Sequence, residues 1–377
     1  MTRRFFFNIF FATILLALCG AGACAQLRGT GAGSPPKREI TGIVSPYANV
    51  DWSRHGRYKA QLHAHTSNSD GKRSLTKTVT DYYARGYDIL AITDHHFVTR
   101  DWVDVKNGID GSTAAGIAAG ADRKGRGMLA IPFTSEQSLH NHVGSYFVNW
   151  YGKNTLEETL ATIESMGGLS ILNHPGTYTG GKAGGDAGAK ASNKPANIAK
   201  YVKLFMDHPS CVGMEIINKQ DRDSASDRIL WDNVLEKTVP RGRYAWCFAG
   251  DDSHVKADID FSWNVFIMPA NDLEHFKAAM RSGNFYAVAK VAKRELGASF
   301  KAAGPAPTIE EIMVDGATIT LRVSHATAVE WISNGAVIAT GASIDLNACQ
   351  GVASYVRANI KGPGGIAFTQ PFGIVAR

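Results

Sequence analysis

Short apolar runs alternate with amphipathic stretches along the chain from Tyr58 onward. Runs of this length, separated by stretches with helical periodicity, predict strands that alternate with helices, which is the pattern of a parallel sheet or an α/β barrel. The predicted strands span residues 59–63, 88–93, 128–133, 143–149, 169–173, 212–217, 245–249 and 263–268.

Capping residues mark the ends of several predicted helices. Ser74 is a candidate N-cap for a helix that stops at Gly86, and Thr155 with Glu158 forms a capping box for a helix that ends at Gly167. Further helices are predicted over 198–206, 224–236 and 271–281. Residues 176–196 are rich in glycine and carry three lysines, so we expect a loop there that is mobile or becomes ordered around a ligand.

The pattern changes after about residue 295. Residues 308–377 contain short alternating segments, such as Thr318 to Val323, with glycine-rich breaks and no helical periodicity. We therefore expect a small C-terminal all-β domain of the sandwich kind over 296–377, packed on an α/β barrel domain over 58–295.

The first 25 residues resemble a signal peptide. Arg3 and Arg4 precede an apolar run from residue 5 to 18, and Ala23-Cys24-Ala25 offers a cleavage site before Gln26. A membrane anchor is the alternative, but the run is shorter than the roughly 20 residues that a spanning helix needs. We therefore expect an exported protein that is periplasmic or secreted. The export route is the twin-arginine route or general secretion, and lipid attachment at Cys24 is a weaker alternative. Residues 26–57 are expected to be a linker and lead-in.

Composition excludes several classes of protein. The 377 residues are 44% hydrophobic and 10% aromatic, which excludes a mostly disordered chain. The formal net charge of +6 is spread thinly, with no block of lysine and arginine, so no nucleic-acid partner is expected. Anionic small molecules remain compatible with this charge. Cys211, Cys247 and Cys349, which follow the signal peptide, form no disulfide framework and no zinc-finger spacing.

Histidines and carboxylates fall at the ends of the predicted strands. The six histidines and three carboxylates are His63, His65, Asp70, His95, Glu136, His142, His174, Asp252 and His254. In an extended chain His63 and His65 point the same way, and the carboxyl ends of barrel strands meet at one mouth. Imidazole with carboxylate, without thiolate, suits zinc, manganese or iron. The pattern therefore predicts a polynuclear metal site. No G-x-S-x-G or G-x-x-x-x-G-K-[ST] motif offers competing chemistry.

The motifs together resemble the polymerase and histidinol phosphatase (PHP) family of metal-dependent phosphoesterases. They are His63-Ala64-His65-Thr66 with Ser69-Asp70-Gly71, Thr93-Asp94-His95, Glu136, His142 before Gly-Ser-Tyr, Asn173-His174-Pro175 and Asp252-Ser253-His254. The resemblance implies a distorted seven-stranded (β/α) barrel with two or three divalent metal ions. It implies His63, His65, Glu136 and Asp252 on the first ion, Glu136, His142 and His174 on the second, and Asp70, His95 and His254 on the third. Asp70 stands where some members have histidine.

This resemblance implies a phosphoric-ester hydrolase acting on small organic mono- or diesters. A water shared by two metals would ionise and attack phosphorus, and Glu136, Asp70 and His254 would act in catalysis. Lys72, Arg73, Lys219 and Arg222 are candidates to bind phosphate, with plain surface charge as the alternative. Asp94 and Asp251 are expected to orient neighbouring histidines, and His96 to point away from the metals. The alternatives are an amidohydrolase-type metallohydrolase and a non-catalytic metal- or phosphate-binding protein of the same fold.

Overall fold

The computed structural model describes residues 39–377 together with the backbone of Ala23–Cys24. The rest of the predicted signal peptide, and the linker as far as residue 38, lie outside the described residues. Among the helices of the described part, none has the length and apolar character that crossing a bilayer requires.

The strands are β1 Ala23–Cys24, β2 Ile40–Val44, β3 Gly56–Gln61, β4 Ile89–Leu90, β5 Leu129–Ala130, β6 Ser135–Gln137, β7 Val143–Tyr146, β8 Leu169–Leu172, β9 Cys211–Asn218, β10 Trp246–Gly250, β11 Ser262–Met268, β12 Phe285–Ala289, β13 Thr308–Asp315, β14 Thr318–Ser324, β15 Ala328–Ser333, β16 Ala336–Thr340, β17 Ser343–Asp345, β18 Tyr355–Gly362, β19 Gly365–Phe368 and β20 Phe372–Ala376. The helices are α1 Leu75–Ala84, α2 Gly111–Ala119, α3 Leu156–Ser165, α4 Gly176–Thr179, α5 Gly185–Ser192, α6 Pro195–Asp207, α7 Asp227–Thr238, α8 Leu273–Ser282 and α9 Lys293–Leu296. Single 3-10 turns lie at Ala121–Arg123, Gly181–Ala183, Lys219–Asp221, Val239–Arg241 and Lys256–Asp258.

The helix caps read from the sequence are present. The Ser74 side chain accepts from the N–H of Lys77 at the start of α1, and Thr155 and Glu158 form the capping box of α3. The helix α2 and the strand β12 were not predicted. In α2 glycine and alanine leave little amphipathic contrast, since Ile117 is its one buried residue.

The region that was predicted as a barrel forms mixed sheets. Strands β3, β4 and β5 are parallel and belong to a twelve-stranded sheet, whereas β6 to β10 form a separate five-stranded sheet in which β7 is antiparallel to both neighbours. Two isolated parallel bridges, Ala64 to Ser253 and His95 to Glu136, connect these sheets. The mixed α/β class agrees with the prediction, but the seven-stranded barrel is not confirmed.

From Thr308 onward all the assigned elements are strands, β13 to β20, in agreement with an all-β C-terminal region. This region is joined to the rest by main-chain hydrogen bonds, because β19 pairs with β12 and thereby continues the twelve-stranded sheet. Strand β2 pairs with β20, and β1 pairs with β16. Strands β13, β14 and β17 form a third sheet.

The glycine-rich segment is helical, which corrects the expectation of a loop. Residues 176–192 form α4, a 3-10 turn and α5. The side chain of Ser192 donates to the carbonyl of Ser226 at 2.8 Å, and Asn233 of α7 donates to the carbonyl of Ser192. Glycine allows close contact here, since a Cβ on Gly188 would lie 2.4 Å from the Ser226 hydroxyl.

Candidate metal centre

The structure brings all nine predicted ligands together where the two bridged sheets meet. They occupy strand ends and adjoining turns, and we call them the His/carboxylate cluster. The cluster comprises His63, His65, Asp70, His95, Glu136, His142, His174, Asp252 and His254. Eight of the nine form overlapping groups of three or four whose nitrogen and carboxylate atoms are compact enough to hold one metal ion, and His174 belongs to such a group with His63 and Glu215. His140, two residues before His142, is exposed and is not part of the cluster.

Main-chain hydrogen bonds between strand ends hold these residues in place. The N–H of His65 donates to the carbonyl of Ser253 at 2.9 Å, and the N–H of Asp252 donates to the carbonyl of His63 at 3.0 Å. Asp252 and His174 have φ of +46° and +29°, a left-handed conformation that is unfavourable for residues with a Cβ. Strained backbone of this kind is typical of functional sites.

Glu136 lies at the middle of the buried half of the cluster. Its Oε1 atom is 3.1 Å from His63 Nε2, 3.2 Å from His142 Nδ1 and 3.4 Å from His174 Nε2. Its Oε2 atom is 3.1 Å from His95 Nδ1. Asp252 Oδ1 lies 3.1 Å from His65 Nε2. The two Glu136 oxygens thus face different histidines, which is the arrangement required of a carboxylate that bridges two ions.

Asp70 lies at the solvent-facing side of the cluster, with 55% of its side chain exposed. Its Oδ2 atom is 3.1 Å from His254 Nε2 and 3.8 Å from His95 Nε2, and its Oδ1 atom is 3.8 Å from His65 Nδ1. His95 therefore presents one ring nitrogen to Glu136 and the other to Asp70. The outer part of the cluster is open to solvent, while Glu136 is fully buried.

Several buried atoms in the cluster crowd one another without hydrogen-bonding geometry. His95 Nδ1 lies 3.1 Å from Glu136 Oε2, and His142 Nδ1 lies 3.2 Å from Glu136 Oε1. Neither of these nitrogens makes a hydrogen bond, and neither does Glu136 Oε2. Buried polar atoms are rarely left this way, because each costs free energy. Lone pairs directed at shared points, rather than at each other, are what divalent cations require. The residues present therefore fit a metal site of imidazole and carboxylate ligands.

Glu215, in the middle of β9, positions one of the histidines and was missed by the sequence analysis. Its Oε1 atom accepts from His63 Nδ1 at 2.9 Å, so the Nε2 atom of His63 is left to face the other ligands. Its Oε2 atom accepts from the N–H of His174 at 3.0 Å and from Asn218. A carboxylate inside the apolar run 212–217 is a signal that could have found it, since buried carboxylates need partners.

Gly250 leaves the space that Glu215 occupies. A Cβ at this position would lie 2.0 Å from Glu215 Oε1 and 3.1 Å from the Cβ of His63. His254 is oriented separately, because its Nδ1 atom lies 2.8 Å from the carbonyl oxygen of Asp252 and must donate to it. The Nε2 atom of His254 is therefore the one that faces Asp70.

The histidines and carboxylates of the cluster shift one another's pKa values. Burial opposes ionisation of Glu136 and Asp252, but the nearby histidines outweigh it and hold the pKa of each carboxyl well below its ordinary value. Burial likewise opposes protonation of His63, yet Asp252, Glu136 and Glu215 raise its pKa. His95 differs, because burial, together with the charges of His65 and His142, lowers its pKa to about 4.

Asp94 and Asp251 do not orient histidines, which corrects that expectation. Asp94 accepts from the backbone and hydroxyl of Thr66 and from the hydroxyl of Ser69, so it holds the turn that carries Asp70. Asp251 accepts from the backbone N–H groups of residues 260–262, and burial raises its pKa to about 6. Both carboxylates support the main chain.

The candidate phosphate-binding cations separate into two groups. Lys219 Nζ lies 3.1 Å from Asp252 Oδ2, and Lys219 and Arg222 both line a cavity that reaches His254. Arg73 instead pairs with Asp81, and Lys72 is exposed. His96 is exposed with φ of +55°, and its ring contacts those of Tyr151 and His95, but it belongs to none of the potential ligand groups.

No family model and no curated protein matches the chain. Among solved structures, the chain is similar to a two-domain protein from Bacteroides vulgatus containing a predicted PHP-like metal-dependent phosphoesterase, with 12% identity, a TM-score of 0.44, and 91% of this chain and 100% of that chain covered. It is also similar to an amidohydrolase from Chromobacterium violaceum, with 16% identity, a TM-score of 0.31, and 52% of this chain and 87% of that chain covered. Both TM-scores are below 0.5, so what the centre does is derived from its own residues.

Proposed function

We propose that this protein is a metal-dependent phosphoesterase of the PHP type that hydrolyses small organic phosphate mono- or diesters. The observation that carries this proposal is the His/carboxylate cluster, in which nine potential ligands surround shared points. At these points His95 Nδ1, His142 Nδ1 and Glu136 Oε2 are buried without a hydrogen bond. The ammonium group of Lys219 beside Asp252 adds positive charge next to these points, as an anionic substrate requires. We further propose that the protein is exported, binds no nucleic acid and works outside the cytoplasm.

Each metal ion would be held by a different set of residues. His63, His65, Glu136 and Asp252 would hold one ion, with Glu136 shared by a second ion that His142 and His174 also bind. Asp70, His95 and His254 would hold a third at the solvent-facing side. Two or three divalent ions (zinc, manganese or iron) would supply positive charge for phosphoryl oxygens and a lowered pKa for a bound water.

The geometry of Asp70 and His254 at the solvent-facing side supports a role toward the leaving group. His254 has a fixed orientation, and its Nε2 atom faces the open cavity beside Asp70. We propose that His254 and Asp70 stabilise the departing alkoxide there, either through a metal ion or by proton transfer from the histidine.

The test is hydrolysis of p-nitrophenyl phosphate and bis(p-nitrophenyl) phosphate by the purified protein beginning at Gln26. Each assay is run after chelation and after addition of manganese, zinc or iron, beside amide and lactone substrates. We expect metal-restored release of p-nitrophenol from one or both esters. Hydrolysis of amides or lactones alone would favour the amidohydrolase alternative, and bound metal without any turnover would favour a binding protein.

A further inference from the structure

A second cavity opens directly beside the candidate metal centre. It has a volume of about 530 Å³, compared with about 240 Å³ for the cavity above the metal ligands. Lys219 and His254 line both cavities, so the two are adjacent and a single bound molecule can occupy both. Arg222 and Lys293 complete the positive lining of the larger cavity.

The larger cavity has an excess of positive charge. Three cationic side chains line it, against one carboxylate, that of Asp258. The Asp258 carboxylate already accepts from the backbone N–H groups of His254 and Val255, at 2.9 and 3.0 Å. Arg222 has only its neighbour Asp223, at 3.7 Å, and in the described part of the chain no carboxylate lies within ion-pair distance of the Lys293 side chain. Lys293 is therefore available to bind an anion, and Arg222, whose one ion pair is long, keeps most of its donors for the same purpose.

The backbone at Lys219 is strained. Lys219, Gln220 and Asp221 have consecutive φ values of +44°, +57° and +53°, and none of the three is glycine. A run of left-handed residues is unfavourable, and it persists only when surrounding contacts fix it. The turn presents the side chain of Lys219 to both cavities.

A buried ion network fixes this turn. The Asp221 carboxylate accepts from both terminal nitrogens of Arg228, at 2.9 Å each, and these two side chains are fully buried. Asp221 also accepts from the N–H of Lys293 at 2.6 Å. Arg228 in turn donates from Nε to Glu295 at 2.8 Å. One network therefore positions both walls of the cationic cavity, the turn at Lys219 and the segment at Lys293.

We propose that this cavity is a subsite for a second anionic group of the substrate, a carboxylate or a further phosphate, joined by a short linker to the phosphate that is hydrolysed. The inference rests on the proposed phosphoesterase function and names its substrate class: phosphorylated acids and bisphosphates rather than esters of neutral alcohols. Arg222 and Lys293 are its specificity-determining residues, and Asp221 and Arg228 are positioning residues.

The test compares esters that differ only in the second charge. The pairs are 3-phosphoglycerate with glycerol 3-phosphate, and phosphoglycolate with 2-hydroxyethyl phosphate. We expect kcat/KM for the acid to exceed that for the alcohol by about tenfold or more, since each bound charge-assisted contact adds to affinity. In Arg222→Gln and Lys293→Gln this ratio falls several-fold, and in the double variant it approaches one.

Lys237→Gln is the matched control, because it removes the same charge from an exposed lysine near the C-terminal end of α7 and should leave the ratio unchanged. Equal kcat/KM for acid and alcohol in the wild type would overturn the subsite while leaving the phosphoesterase function intact. If no ester is hydrolysed with any metal, the function fails, and equilibrium binding decides the subsite. Equal affinity of metal-loaded wild type and double variant for 3-phosphoglycerate would then overturn it.

Discussion

Two of the buried polar clusters in the described part of the molecule have opposite character. In the first, which we call the Asp232 cluster, Arg357 binds both oxygens of Asp232 at 2.7 and 2.8 Å, and Tyr355 and Asn359 complete the hydrogen bonds at 2.7 Å each. In the His/carboxylate cluster, comparable buried atoms approach to 3.1 Å without satisfying one another. The first cluster satisfies its own hydrogen bonds, whereas the second leaves buried ligand atoms unsatisfied, which is the state expected of the metal site proposed here.

The largest effect is expected from Glu136→Gln, which removes the charge of the carboxylate that is proposed to bridge two ions. We expect kcat/KM for p-nitrophenyl phosphate to fall by about 1000-fold or more, because both the metal ions and the charge they provide depend on it. Bound metal, measured by elemental analysis, should fall in parallel. A variant that keeps a tenth of the activity and its full metal content would contradict the role given to Glu136.

Asp232→Asn should lower stability and leave turnover and metal content unchanged, the opposite of what we expect for Glu136→Gln. Loss of one partner leaves Arg357 buried and unpaired, so we expect the free energy of unfolding, measured in urea, to fall by about 3–5 kcal/mol. Turnover per folded molecule and metal content should stay at the wild-type level. The double variant Asp232→Leu with Arg357→Met removes both charges and should recover much of the stability. Loss of metal in Asp232→Asn would show that the two clusters are not independent.

A smaller effect is expected in the pH dependence of the metal-free protein. The raised pKa of His63 and of His174 means that their stabilising contribution is present below the ordinary value of 6.5 and is lost as pH rises through the folded-state pKa. Metal ions replace these protons when they bind. We therefore expect the difference in Tm between manganese-loaded and chelated protein to grow by several degrees from about pH 6 to 9. A difference in Tm that stays the same from pH 6 to 9 would contradict this prediction.

Local signals predicted local structure well. Ser74, Thr155 and Glu158 marked helix starts because capping depends on residues within one turn of each other. The histidines at strand ends marked the site because strand direction alone brings such ends together. Glu215 was missed because its partners, His63 and the N–H of His174, are distant in sequence and identifiable only once β9 is placed.

The arrangement of the sheets could not be predicted from the sequence, for a related reason. Strands of two residues, such as β4 and β5, carry almost no periodicity of their own, so nothing in them distinguishes a barrel from two bridged sheets. The helical state of residues 176–192 was missed because glycine is a poor helix former in isolation. There, contacts with Ser226 and Asn233 outweigh intrinsic preference.

The pairing of β2 with β20 also governs the order in which structure can form during synthesis. Thr41 and Val375 are 334 residues apart in sequence, yet the Thr41 hydroxyl donates to the Val375 carbonyl. Strand β2 leaves the ribosome early and has no partner until β20 follows, and β19 is needed in the same way beside β12. Such distant pairings make folding slow. The chain therefore reaches its native topology only after β20 has been synthesised, and until then the edges of β2 and β12 are open to chaperones.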